Sequence, residues 1–331
     1  MKKKALVAGV LLSVFSMGMS AQAAMTISDA GETKLSDTNT NQWRELWVGE
    51  TNTGLTITGD NEKKINFVFE SGGFGTGDID PATIDITNSA NQSDGIYHDA
   101  GTTYFDGLDL SIIGSGYSIG EASGYRAINN QAGAMHFNNY VDINVSVNDE
   151  AIHNNGNMTF SKGLYINRLY ETTNTSVMDG AIENHGNMEI NGDDITIISR
   201  SWDQLASGNI IDNYGNLYIN KENLAGNYYF SGDIKHTHGA TTEINLKGKP
   251  EMDGEAYVIT ANLDGEIKGS DNNFKLNIEG KNAVWFMGEK QDSTVYGVTL
   301  KDGGSIVVNN NNWLFHDGSG VWDDRYKNVR Y

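Results

Sequence analysis

The chain contains no cysteine, and only two prolines, Pro81 and Pro250, among its 331 residues. The first absence excludes any disulfide crosslink, so an exported form of this protein must be held together by a long core. The second, set beside 39 glycines, excludes a proline-rich disordered composition, because Ile, Val, Tyr and Phe recur between the glycines throughout. Positive charge is also scarce, with 23 Lys and Arg against 43 Asp and Glu. A surface this acidic repels nucleic acid and anionic lipid, so neither is expected as a partner. It reads first as a solubilising surface, with Ca²⁺ or basic ligands as the alternatives.

Long apolar runs are nearly missing. The exception follows Lys2, Lys3 and Lys4: an uncharged, largely apolar stretch from Ala5 to Met19, ending in Ala21-Gln22-Ala23-Ala24. It is too short to span a bilayer comfortably, and the small residues at alternate positions suit a signal peptidase. Residues 1–24 are therefore expected to be a signal peptide. Without its three lysines the mature chain carries 20 basic and 43 acidic residues, a formal net charge of −23. Later apolar segments such as Ile195-Thr196-Ile197-Ile198 are strand-sized, so no membrane insertion of the mature chain is expected. The polar stretch Val321 to Tyr331 also lacks the terminal strand of a transmembrane β-barrel.

What is present in abundance is repetition. Three segments share one template: Ala151-Ile152-His153-Asn154-Asn155-Gly156-Asn157-Met158-Thr159-Phe160, Ala181-Ile182-Glu183-Asn184-His185-Gly186-Asn187-Met188-Glu189-Ile190, and Ile210-Ile211-Asp212-Asn213-Tyr214-Gly215-Asn216-Leu217-Tyr218-Ile219. Weaker copies surround Gly101, Gly133 and Gly239, and the intervals between the six glycines are 32, 23, 30, 29 and 24 residues. Such a period signals stacked supersecondary units, and the absence of leucine-rich or helical consensus leaves a β-solenoid. The expected fold is all-β: a right-handed parallel β-helix of roughly a dozen coils. Residues 25–94 lack the template and are expected to hold an N-terminal cap with irregular first coils, and 95–331 the β-helix.

Within each template a strand ends near Ile152, Ile182 or Ile211, the chain turns, and a second strand begins at Met158, Met188 or Leu217. Alternation points these apolar side chains inward. Asn154, Asn184 and Asn213 are expected to stack as an amide ladder at one corner, each bonding to a neighbour about 4.8 Å away. Gly156, Gly186 and Gly215 are expected to supply corner backbone angles that disfavour a Cβ. Further strands are read at Glu255–Ile259, Phe274–Ile278, Val295–Leu300 and Ser305–Val308.

The signal peptide, the Ala/Ile-Ile-x-Asn-x-Gly-Asn-Met/Leu units and the stretch Gly304-Ser305-Ile306-Val307-Val308-Asn309-Asn310-Asn311-Asn312-Trp313 together resemble bacterial autotransporter passenger domains. That resemblance implies a right-handed β-helix exported through the periplasm and outer membrane of a Gram-negative bacterium to the cell surface or beyond. It also implies a non-catalytic adhesion or interaction role, with a host or bacterial surface protein or glycan as partner. The family's C-terminal translocator barrel has no counterpart here, so the expectation is a truncated gene, a fragment or a free secreted relative, with a separate or missing translocator.

Polysaccharide-cleaving enzymes also use β-helices, and an inverting hydrolase needs an acid and a base about 6.5–9.5 Å apart. Asp193, Asp194 and His238 resemble parts of a galacturonase signature, but the flanking Asn-Thr-Asp and Arg-Ile-Lys are missing, and a solvated turn is the favoured reading. Gly72–Asp78 only partly resembles a Ca²⁺-binding repeat, and Asp317–Gly320 inverts a serine-protease motif. No third ligand accompanies His236 and His238, so neither a metal nor a cofactor is expected. His153 and His185 fall at variable positions of the repeat frame. Tyr165, Tyr170, Tyr214, Tyr218, Tyr228 and Tyr229 are read either as an exposed contact strip or as packing over loops.

Overall fold

The computed structural model describes residues 126–147, 149–170, 180–201, 208–250, 258–269, 271–287 and 293–308, and outside these the strands between Met25–Ile27 and Val329–Arg330 with the turn at Gly101. The proposed signal peptide, Gly72–Asp78 and Asp317–Gly320 lie outside the described residues. No described helix is long and apolar enough to cross a membrane.

The strands form three parallel sheets of eleven, ten and eleven strands. The chain passes from the first sheet to the second and then the third before starting the next coil. The fold is thus an all-β solenoid, consistent with a right-handed parallel β-helix. The strands within 25–94 belong to the same three sheets: Met25, Leu46 and Ile96 stand in register on the first. Their order holds one exception. The third side of the first coil is Thr83–Asn88, which pairs outside Ile65–Ser71 although it follows it in sequence. The chain doubles back before resuming at Ile96–His98, so both edges of Ile65–Ser71 are paired. Pairing removes a row of free N–H and C=O groups that would otherwise recruit another strand.

Alternation along each strand supplies the core. On the first sheet Ile128, Ile152, Ile182 and Ile211 stack in register and are fully buried. On the second, Met135, Met158, Met188 and Leu217 form one inward row. Phe105, Phe137 and Phe160 belong to another, their rings stacked at 4.7 and 4.8 Å. Identical residues at one height of successive coils allow this face-to-face stacking, because the inter-strand spacing matches an aromatic contact distance.

The buried corner between the first and second sheets carries the amide ladder. Asn130 Nδ2 donates to Asn154 Oδ1, Asn154 Nδ2 to Asn184 Oδ1, and Asn184 Nδ2 to Asn213 Oδ1, each at 2.8 Å. The ladder begins at His98, whose Nδ1 lies 2.7 Å from Asn130 Oδ1. It ends where Asn213 Nδ2 donates to Thr242 Oγ1 at 2.8 Å. The asparagines also bind backbone at the turn: Asn154 Oδ1 accepts the Gly156 N–H, and its Nδ2 donates to the Gly156 and Asn187 carbonyls. A buried turn whose backbone would lack partners is satisfied by one side chain per coil.

The glycines of this turn are required for a different reason than backbone angles. Gly156, Gly186 and Gly215 are not among the positive-φ residues, whereas Gly133, one coil earlier, has φ 80°. A Cβ on Gly186 would lie 2.0 Å from the Gly156 carbonyl oxygen, and one on Gly215 would lie 2.1 Å from that of Gly186. Successive coils simply pass too close for a side chain there.

Three other expectations are corrected. The Val295–Leu300 run is two strands, Ser293–Val295 and Gly297–Lys301, with a corner between them. Of the Glu255–Ile259 run, residues 255–257 lie outside the described residues, while Val258 and Ile259 are exposed and precede the strand Ala261–Asp264. That strand starts where it does because Ala261 and Leu263 fill the rows of Tyr228 and Phe230. Tyr228 and Tyr170 are buried, Tyr165 and Tyr218 are half-buried, and only Tyr214 and Tyr229 are exposed among the six tyrosines read as a strip. Strand phase decides this: Tyr228 takes the inward place occupied by Ile195 one coil earlier, and its hydroxyl donates to the Gly192 and Leu224 carbonyls.

Candidate functional site

The densest group of ionisable side chains among the described residues lies where the third sheet passes to the first, in the two coils around Glu150 and Glu183. Outward-facing residues of the first sheet are stacked there in the order Asn129, His153, Glu183, Asp212 and Lys235. Glu150 enters from the preceding turn, three residues before His153, and its side chain is 1% exposed. Arg126, from the coil below, contacts Glu150 Oε1 through Nε and Asp149 Oδ2 through Nη2, the latter at 3.1 Å.

A second arginine supports this turn from within. Arg168 takes the inward place that Val145 fills one coil earlier, and is buried. Its Nε donates to the Asp149 carbonyl at 2.8 Å, its Nη1 to Ser199 Oγ at 3.1 Å, and its guanidinium lies 5.2 Å from the centre of the Tyr170 ring. A cation this deep is tolerated because its donors are engaged and a ring face covers it. The consequence is a fixed backbone at Asp149, and hence a fixed Glu150.

The two neighbouring carboxyls are driven apart. Burial pushes Asp149 up, reinforced by the hydrogen bond to Glu150 and by its charge, against the pull of Arg126. Burial also opposes the charge on Glu150, but the His153 imidazole beside it, the hydrogen bond from Asp149 and the Arg126 guanidinium overrule it and hold Glu150 well below the usual range. The two carboxyls titrate as one coupled pair, and the opposite directions of their shifts favour negative charge on Glu150 over Asp149.

That charge faces an imidazole. His153 Nδ1 lies 2.7 Å from Glu150 Oε1 and 3.6 Å from Glu183 Oε1. A second imidazole meets the same Glu183 oxygen, His185 Nε2 at 2.6 Å. His185 is exposed and stacked on Tyr214, ring centres 4.5 Å apart. One coil above Glu150 the equivalent place is Gly180, where a Cβ would lie 3.1 Å from an Asp212 carboxylate oxygen. The missing side chain thus admits Asp212, whose carboxyl is raised by burial against the opposing effects of Lys235, Asn209 and the Gly180 N–H.

The residues singled out from sequence lie elsewhere. Asp193 and Asp194 are exposed at the corner between the second and third sheets. Asp194 is raised by burial and by the charge of Asp193, against Lys249. His238 sits at the corner between the first and second sheets, almost fully exposed, with Nδ1 3.4 Å from Asp271 Oδ2. The structure therefore pairs His238 with Asp271, at a different corner of the coil from the two aspartates.

Asp271 also serves the end of the amide ladder. His236 is buried between Thr242 Oγ1 at 2.9 Å and Asp271 Oδ1 at 2.8 Å. The row of hydroxyl, imidazole and carboxylate has the order of a nucleophilic triad, but Thr242 is fully buried inside the coil and bound to Asn213. Its place is structural. Burial alone would raise Asp271, yet the N–H groups of Gly239 and Asn273 and the His236 imidazole overrule it and hold the carboxyl below its usual value. A lowered folded value contributes stability that is whole above the unfolded value, about 3.9, and is lost as pH falls through the folded one. Thermal melts of wild type and Asp271→Asn should differ above about pH 5 and converge as the pH drops below about 3.9. A gap that does not change with pH would assign no role to the carboxylate charge.

The sequence reading passed over Glu150, Glu183 and Arg126, and treated His153 and His185 as repeat-frame surface positions. The template itself carried part of the signal, since it aligns His153 with Glu183 and sets His185 two residues further along. Comparison with family models, curated proteins and solved structures returned no match.

Proposed function

We propose that this protein is an exported, autotransporter-passenger-like solenoid that acts by non-catalytic adhesion, its partner being a surface protein or a glycan. The observation that supports this most is the strip on the corner between the first and second sheets. There Asn155, His185 and Tyr214 form one exposed row, and Asn157, Asn187 and Asn216 form a second beside it. The second row is itself a ladder, Asn187 Nδ2 donating to Asn157 Oδ1 at 2.8 Å and Asn216 Nδ2 to Asn187 Oδ1 at 2.7 Å. An aromatic face beside amide donors and acceptors, repeated at a fixed spacing, suits a sugar ring or an extended polar partner.

The mature chain, applied to host cells, matrix proteins and a glycan panel, is expected to bind, and Tyr214→Ser combined with Asn187→Ala to weaken binding about tenfold or more. Absence of binding and of cell aggregation, together with normal adherence of a deletion strain, would refute the reading.

A second reading, a polysaccharide-active enzyme, is favoured by one observation: Asp194 is a carboxyl with a raised value beside a second carboxyl, as a general acid requires. Release of reducing ends or unsaturated sugars from a polysaccharide panel, abolished by Asp194→Asn, would place it first. Inactivity across the panel would retire it.

A further inference from the structure

We infer that Glu150, His153, Glu183 and His185 form a binding site for one divalent transition-metal ion of the Zn²⁺ class, on the outward face of the first sheet. One ligand atom from each of Glu150, His153 and Glu183 falls within a cluster whose members are all within 4.8 Å of one another. His185 lies outside that cluster, but its exposed side chain already has Nε2 2.6 Å from the same Glu183 oxygen, so a rotation brings a second nitrogen to the ion. A tetrahedral ion with bonds of about 2.0–2.2 Å holds its donors roughly 3.3–3.6 Å apart. The contacts from His153 Nδ1 to the two glutamates, at 2.7 and 3.6 Å, bracket that range, so small side-chain rotations complete the geometry.

An independent observation points to the same place. His153 Nδ1 is buried and makes no aligned hydrogen bond, despite lying between two carboxylates. A buried imidazole nitrogen without an aligned partner is costly unless something else engages it. A metal ion would do so while also taking an oxygen from each of the two carboxylates beside it. The donor set selects the ion: two imidazoles and two carboxylates suit Zn²⁺ and its neighbours, whereas Ca²⁺ and Mg²⁺ take oxygen alone.

The supporting layer is present as well. Arg126 holds the Glu150 and Asp149 carboxyls, and Arg168 holds the Asp149 carbonyl. Such outer contacts orient metal ligands and contribute to affinity. Register supplies the rest. His153 and Glu183 occupy one outward position of adjacent strands, so their separation is set by the inter-strand spacing and not by a flexible loop.

The test is calorimetric titration of the metal-stripped mature chain with ZnCl₂, with CaCl₂ as a second titrant. One Zn²⁺ per chain is expected and no Ca²⁺ at this site. Glu183→Gln should weaken Zn²⁺ binding by about 100-fold or more and His185→Ala by about 10-fold or more, since even outer partners of metal ligands cost 10–100-fold. His238→Ala should leave binding unchanged. The His185 and His238 side chains are both exposed, so these two variants decide the matter even where Glu183→Gln fails to fold. Absence of one-to-one binding, binding that survives His185→Ala undiminished, or binding lost with His238→Ala would each overturn the site.

Discussion

Replacing Gly186 with alanine is expected to destabilise the protein by about 3 kcal/mol or more, at or above the upper end of ordinary overpacking. The added methyl would lie 2.0 Å from the Gly156 carbonyl oxygen and under 3 Å from the backbone of Asn155. None of these atoms belongs to a side chain that can swing aside. Two coils must separate, and with them the Asn187 N–H donated to the Gly156 carbonyl at 2.8 Å. The control is another template glycine. Gly239 has φ 89° with nothing within 4 Å of a Cβ, so Gly239→Ala should cost only the left-handed strain, about 1–2 kcal/mol. Denaturant midpoints of the two variants separate close approach from backbone angle. Equal shifts would show that the coils can part freely.

The second large effect is expected at Asn184. Its Oδ1 accepts from Asn154, and its Nδ2 donates to Asn213 Oδ1 and to the carbonyls of Gly186 and Asn216. Asn184→Ala removes a donor and an acceptor from a fully buried ladder and leaves polar atoms above and below short of a partner. At about 1–3 kcal/mol for each group left unsatisfied, the loss should be roughly 2–5 kcal/mol. The exposed ladder provides the comparison: Asn187 makes the same kind of amide bonds in water, and Asn187→Ala should shift stability by no more than about 0.5 kcal/mol. Urea denaturation of both variants checks this. An Asn184 effect as small as that of Asn187 would mean that burial adds nothing to the ladder.

Much of the scaffold was legible because the three best copies of the template follow one another in adjacent coils. Aligning them places Ile152, Ile182 and Ile211 in one row and Asn154, Asn184 and Asn213 in another, as the strand register does. The ends of the ladder were harder to read, because its terminal members are not asparagines: His98 opens it, and Thr242 with His236 closes it. Tyr170 and Tyr228 were misread for a related reason. With Leu169 before Tyr170 and Tyr229 after Tyr228, local alternation gives no clue to strand phase, and only the inward rows of the adjoining coils decide it.

The candidate site was half visible. His153 and Glu183 share a template position, but Glu150 precedes the template and Arg126 belongs to a coil whose copy is weak. Nothing local to those residues announces a cluster, because the contacts that join it across coils, Arg126 to Glu150 and His153 to Glu183, are 24 and 30 residues apart in the chain.

The chain's own pattern determined that it is a cysteine-free stack of short parallel strands with apolar rows inside and asparagines at one corner. Those properties follow from a period of two within each strand and a recurring turn between them, both local. Only the tertiary structure decided which ionisable groups meet, why the turn glycines cannot carry a Cβ, and that Thr83–Asn88 closes the first coil. Each of these depends on distances between successive coils, and the unequal lengths of chain between template copies hide those distances until the strands lie side by side.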